Sequence, residues 1–206
     1  QSTNKRRIAV LPGSRRRELH KIWPLQLAVL RLVHQRFPDL LFDIACLNDA
    51  HRAICESIAV QESPNALPLR FHAGKTSEVI EMSECVLMKS GSVSLELLAR
   101  EKPACILYQA SHSTYTIGKL LSSVHYFSLP NIIAGHPIVP EFLAIGRSQK
   151  IVPMVFEELA RLIEDPNARH AQIESLKAVR NACGGSHASE NAAQTILQLM
   201  AKYVSR

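Results

Sequence analysis

The sequence predicts an α/β domain: a doubly wound parallel sheet with helices gathered at its C-terminal end. Three observations carry that expectation. Short apolar runs alternate with longer stretches of helical spacing over the first 110 residues, the pattern of a parallel sheet with helical crossovers. Two of those runs end in Gly-Ser turns that open directly into helices. Past residue 150 the pattern is helical only.

The first unit is Ile8-Ala9-Val10-Leu11-Pro12-Gly13-Ser14-Arg15-Arg16-Arg17-Glu18. Four consecutive apolar residues suit a buried strand, Pro-Gly-Ser forces a tight turn, and Glu18 opens a helix over residues 18–36. That helix carries a wide apolar face that includes Leu19, Ile22, Leu30 and Val33, with Trp23 in the core, and Pro38 closes the unit. Small turn residues let the backbone approach a ligand, and the amides at the helix start then form a seat for an anion, most often a phosphate. Arg15 adds a planar, permanently charged fork. Strand-turn-helix with an arginine is also common in α/β proteins with no ligand there.

Residues 40–46 form the second strand, and Asn48 or Asp49 can cap a helix over residues 50–60. A loop at residues 64–68 leads to a short third strand, 69–72, and Gly74-Lys75-Thr76 precedes a helix through Met82. Gly74-Lys75-Thr76 imitates the end of a P-loop, but the glycine required five residues earlier is Leu69, so it reads as a turn with a helix cap. After the fourth strand, 86–88, Ser90-Gly91-Ser92-Val93-Ser94-Leu95-Glu96 repeats the opening geometry and continues as helix to about Arg100. Glu96 lies one turn into that helix, where a carboxylate can accept from a sugar's hydroxyl pair or simply stabilise the helix start.

Residues 104–108 make the fifth strand and 111–121 a further helix. Residues 126–143 hold two Pro-interrupted apolar pieces around Asn131 and Ala134-Gly135-His136, a composition that suits a rigid loop beside a site. Three helices follow, 153–164, 167–182 and 187–203, the middle one ended by Gly184-Gly185. The division is therefore a Rossmann-like domain over residues 1–150 and closing helices over 151–206 that pack on it or on a domain missing from this chain. One side of the last helix carries Ala188, Ala192, Ile196, Leu199 and Met200, a face for its own chain or for a partner in a homodimer.

A net charge of +6 and pI near 9.2 favour an anionic partner. Lys5, Arg6, Arg7, Arg15, Arg16 and Arg17 cluster around the first strand, where such charges ordinarily form a solvated rim. Aromatic residues are 5% of the chain and none interleaves with these arginines, which argues against nucleic acid as a partner. The five cysteines contain no C-x-x-C pair and suit a reducing compartment. His51 and Cys55 near Cys46 have the nearest thing to metal spacing, without a second ligand pair. No apolar run approaches the roughly 18 residues of a membrane span. The expectation is a soluble chain that starts almost at once in ordered structure, as does a domain cut from a longer protein.

Leu11-Pro12-Gly13-Ser14-Arg15 with Glu18, Ser90-Gly91-Ser92 leading to Leu95-Glu96, Tyr108 with Thr114 and Tyr115, and Ser128-Leu129-Pro130-Asn131-Ile132-Ile133-Ala134-Gly135 with Val139 and Glu141 occur in this order. In these motifs the sequence resembles the lipid-A-disaccharide synthases over nearly its whole length. The resemblance implies one half of a GT-B glycosyltransferase, the C-terminal, UDP-sugar-binding half. Its reaction would move diacylglucosamine from UDP-2,3-diacylglucosamine to 2,3-diacylglucosamine 1-phosphate, with no cofactor and no metal. By position, Gly13, Ser14 and Arg15 would hold the diphosphate, and Ser90, Gly91 and Ser92 would supply amides and hydroxyls. Glu96 would bind the ribose, and Asn131 would line the donor pocket. The general base would belong to an N-terminal acceptor domain absent from this chain, so the chain alone would be inactive.

The chain departs from the family at Ser92, usually threonine, at Gln109, usually basic, at His136, often arginine, and at Lys89, which adds a charge. The resemblance places the protein in the cytoplasm, at the inner face of the membrane, with Arg6, Arg7, Arg16 and Arg17 available to anionic headgroups. Two other classes fit the residues: a stand-alone UDP or UDP-sugar binding module without catalysis, and a basic domain that binds RNA or anionic lipid.

Overall fold

The structure, a computed structural model, describes residues 5–62, 67–111, 126–146, 149–183, 190, 193–198 and 200. Six strands form one sheet: β1 Arg7–Leu11, β2 Leu41–Cys46, β3 Leu69–Ala73, β4 Cys85–Lys89, β5 Ala104–Ala110 and β6 Glu141–Ile145. All five pairings are parallel, in the order β3-β2-β1-β4-β5-β6. The helices are α1 Arg16–Arg36, α2 Asp49–Glu62, α3 Thr76–Met82, α4 Ser94–Arg100, α5 Leu129–Ala134, α6 Val152–Glu164 and α7 Pro166–Ala182.

The apolar runs become strands covered on both faces, so side-chain alternation divides them between two cores. Ile8 and Val10 face one core with α1, α2 and α6, where Trp23, Leu30, Phe42 and Leu159 are fully buried. Ala9 and Leu11 face the other with α3, α4 and α7, including Ile80, Leu97 and Leu176. The two closing helices thus cover opposite faces of the same sheet. Gln172 of α7 also brackets the start of β5, accepting from the Ala104 amide at 2.6 Å and donating to its carbonyl at 3.3 Å.

Two expectations change. Helix α1 begins at Arg16, two residues before Glu18, because Arg15 keeps an extended backbone and the Glu18 carboxylate reaches back to its amide at 3.3 Å, half of a capping box. The segment 126–143 is not loop alone: it contains α5 and the start of β6. Ser128 has the extended N-cap conformation, Pro130 sits in the first turn where its missing N–H costs nothing, and Gly135 ends the helix at φ 72°, the left-handed conformation a glycine adopts without strain. At α2 the Asn48 side chain accepts from the His51 amide at 3.0 Å, as its sequence suggests. The helix expected over 111–121, with Thr114 and Tyr115, lies outside the described residues apart from Ser111. Residues 193–198 of the last expected helix are helical, and Ile196 and Met200 are 57% and 58% exposed.

Candidate functional site

The strand order reverses between β1 and β4, and there the carboxyl ends leave a crevice in sheets of this kind. The buried Gln26 amide of α1 ties the two strands beneath it, donating to the Leu11 carbonyl at 3.2 Å and the Leu87 carbonyl at 3.5 Å. A pocket of about 230 Å³ opens above, lined by Gly13 and Ser14 from the first turn, Lys89 to Val93 from the second, and Glu18, Ala45, Leu47 and Thr76 around them. Both Gly-Ser turns therefore meet in one cavity.

The turns offer different donors. In the second, the amides of Ser94, Leu95 and Glu96 close onto the carbonyls of Gly91, Ser92 and Val93. The amides of Gly91, Ser92 and Val93 make no such turn. The Ser90 hydroxyl is committed elsewhere, donating to the Phe127 carbonyl at 2.8 Å. In the first turn, Gly13 has φ 122°, and a Cβ there would stand 2.8 Å from Glu18 Oε2 and 3.1 Å from Glu18 Cβ. Gly13→Ala is expected to lower stability by about 1–3 kcal/mol, the range for a strained backbone position, seen as a lower urea midpoint at unchanged slope.

Glu18 and Lys89, absent from the residues first assigned to the site, form its charged centre. Lys89 Nζ lies 3.0 Å from Glu18 Oε1, with the two side chains 15% and 17% exposed. Burial raises the Glu18 pKa, but the Lys89 hydrogen bond and charge and the Arg15 and Ser14 amides together outweigh it, holding the carboxyl below its ordinary value. The Lys89 ammonium also sits 5.9 Å from the Tyr108 ring centre, and that ring stacks on Phe127 at 5.9 Å. The signal for Lys89 lay in its place, the last residue of a buried strand immediately before a glycine turn.

Three assigned residues stand outside the pocket lining. Arg15 is 80% exposed and reaches Glu18 at 3.3 Å. Glu96 pairs with Arg100 at 3.0 Å. Asn131 is 1% exposed and all its polar capacity goes to its own segment. Its amide donates to the Val139 carbonyl at 2.8 Å and Glu141 Oε1 at 2.7 Å, while its oxygen accepts from the Ile138 and Val139 amides at 2.8 and 2.9 Å. Glu141 in turn accepts from the Phe127 and Ser128 amides at 2.7 and 2.8 Å. Asn131 thus locks the segment whose Phe127 carbonyl receives Ser90, and it stands outside the lining of the pocket between the two turns.

A family model described as lipid-A-disaccharide synthetase matches residues 1–198. The chain belongs to the lipid-A-disaccharide synthase family. It is 32% identical over 193 residues to the lipid-A-disaccharide synthase of Anaeromyxobacter dehalogenans, covering 94% of this chain and 49% of that protein. With the enzyme of Idiomarina loihiensis it shares 32% over 160 residues, 78% of this chain and 41% of the other. This chain spans about half the length of these curated relatives, and the part matched is their C-terminal half.

Among solved structures, the UDP-GlcNAc 2-epimerase from Neisseria meningitidis bound to UDP-GlcNAc superposes with a TM-score of 0.58 at 17% identity, over 96% of this chain and 46% of that one. The spinosyn rhamnosyltransferase SpnG complexed with thymidine diphosphate gives 0.51 at 18% identity, over 87% and 42%. At these identities the likeness concerns the fold, that of one Rossmann-like half of GT-B glycosyltransferases and epimerases.

In this member of the lipid-A-disaccharide synthase family the basic cluster is divided. Arg6 is bonded to Glu84 at 2.7 Å and to the Ile163 carbonyl at 2.5 Å, and Arg7 reaches the buried Asp43 at 3.3 Å. Both arginines are ion-paired, Arg6 with a side chain still 44% exposed, while Arg16 and Arg17 are exposed at the start of α1. Among the described residues no helix is long and apolar enough to cross a membrane.

Proposed function

We propose that this chain is the donor-binding half of a lipid-A-disaccharide synthase, which holds UDP-2,3-diacylglucosamine while 2,3-diacylglucosamine 1-phosphate attacks from a facing N-terminal half. The observation that carries the reading is the convergence of two glycine turns and a lysine on one pocket at the strand-order reversal. Family membership supplies the reaction class, and two neighbours of the same fold carry a nucleotide sugar or a nucleoside diphosphate.

In this reading the acceptor 6-hydroxyl oxygen attacks the donor's anomeric carbon, the bond to the β-phosphate breaks, and UDP departs with the electron pair. The hydroxyl proton passes to a base in the facing half. This chain's contribution is electrostatic: amides of the two turns and nearby cations stabilise charge as it develops on the leaving diphosphate. The acylated substrates bring the domain to the inner face of the cytoplasmic membrane, with Arg16 and Arg17 outward.

Calorimetric titration with UDP tests the donor site. The wild-type chain is expected to bind, and Arg15→Ala and Glu96→Ala are each expected to weaken binding by about 1 kcal/mol or more, the size of a lost charge-assisted hydrogen bond. To reach a nucleotide, Arg15 would leave Glu18, and Glu96 would leave Arg100. Absence of binding to the folded wild-type chain at millimolar UDP would refute the reading.

A further inference from the structure

The Glu18 carboxylate holds four donors in the mouth of the pocket. Its Oε2 accepts from the Ser14 and Arg15 amides at 3.2 and 3.3 Å. Its Oε1 faces the Arg15 guanidinium at 3.3 Å and the Lys89 ammonium at 3.0 Å. Two successive amides, a guanidinium and an ammonium around one anion are the donor set that proteins use for phosphate. Here a side chain from the first turn of α1 occupies it.

Lys89 is positioned to serve both turns. It ends β4, its ammonium touches Glu18 on one side, and a Cβ on Gly91 would stand 3.9 Å from its Nζ on the other. The stacked Tyr108 and Phe127 rings support it. An unbranched four-carbon stem allows the ammonium to change partner without moving the strand.

We infer that Glu18 is a built-in stand-in for phosphate, and that donor binding is an exchange in which Lys89 and the first-turn amides pass from Glu18 to the incoming diphosphate. This rests on the donor-site reading above and adds two residues to it: Lys89 as a diphosphate-binding residue, and Glu18 as an internal competitor. The exchange has a sign that a purely structural role lacks. Removing the lysine must weaken diphosphate binding, whereas removing the carboxylate's charge must strengthen it.

The test is calorimetry of the wild-type chain, Lys89→Met, Lys89→Arg and Glu18→Gln with UDP and with uridine, thermal unfolding confirming that each variant is folded. Glutamine at Glu18 keeps the helix start, since either residue completes a capping box. Lys89→Met is expected to weaken UDP binding about tenfold or more, as for a lost charge-assisted contact, and Lys89→Arg to recover most of it. Uridine should bind the lysine variants as it binds wild type. Glu18→Gln should tighten UDP about threefold or more as the competing charge is removed. Unchanged UDP affinity in Lys89→Met, or an equal loss for uridine, overturns the role of Lys89 and leaves the donor site standing. Weaker UDP binding by Glu18→Gln overturns the competition and makes Glu18 a positioning residue for the lysine. Failure of wild type to bind UDP removes the donor-site reading itself.

Discussion

Asn131→Ala is expected to destabilise the protein by about 2–4 kcal/mol, since each buried donor or acceptor left without a partner costs about 1–3 kcal/mol. The substitution orphans the Ile138 and Val139 amides and removes the donor shared by Val139 and Glu141. Asn131→Asp is nearly isosteric but discards both N–H donors and sets a second carboxylate against Glu141, so at neutral pH its loss should be at least as large. That loss should shrink on acidification as one of the two carboxyls takes a proton. Urea unfolding at two pH values measures both effects. Because Glu141 also receives Phe127 and Ser128, and Phe127 receives Ser90, UDP affinity should fall in the folded fraction of both variants. Wild-type stability in Asn131→Ala would show that water replaces the amide and that the network is not what holds this segment.

Trp23→Ala should cost about 3–5 kcal/mol, the range for truncating a buried aromatic residue. The indole is fully buried, donates to the Cys55 carbonyl at 2.9 Å, and meets Phe71 edge-on at 6.3 Å. It joins α1 to α2 and to the third strand at once. Trp23→Phe keeps an aromatic ring and loses the hydrogen bond, so its cost should be the smaller of the two. The chain has one tryptophan; circular dichroism is therefore the probe for both variants. Equal losses for alanine and phenylalanine would make the indole hydrogen bond, not the packing, the dominant contribution.

The fold was legible because its signals are local. The inner strands of the doubly wound sheet are largely buried on both faces and read as mostly apolar runs, and each Gly-Ser turn lies next to the helix it opens. The turns with Gly13 and Ser14 and with Ser90, Gly91 and Ser92, which line one pocket, are legible in this way. The segment with α5 and β6 was misread because its prolines signal interruption. Pro130 falls in a first helical turn, where no N–H is needed, and Pro140 immediately precedes the strand, a position that sequence spacing does not distinguish from a loop.

The order of strand, turn and helix, the location of both glycine turns at strand ends, and membership of the lipid-A-disaccharide synthase family follow from the sequence, because neighbouring residues and ordered motifs carry them. Tertiary structure alone decided that Glu18 and Lys89 face each other across the pocket, that the Ser90 hydroxyl belongs to Phe127, and that Asn131 closes on Val139 and Glu141. Each of these joins side chains to partners on different elements or across a folded-back segment. Hydrogen bonds and ion pairs depend on distances of a few ångströms, and those distances exist only once the sheet has brought its strand ends together.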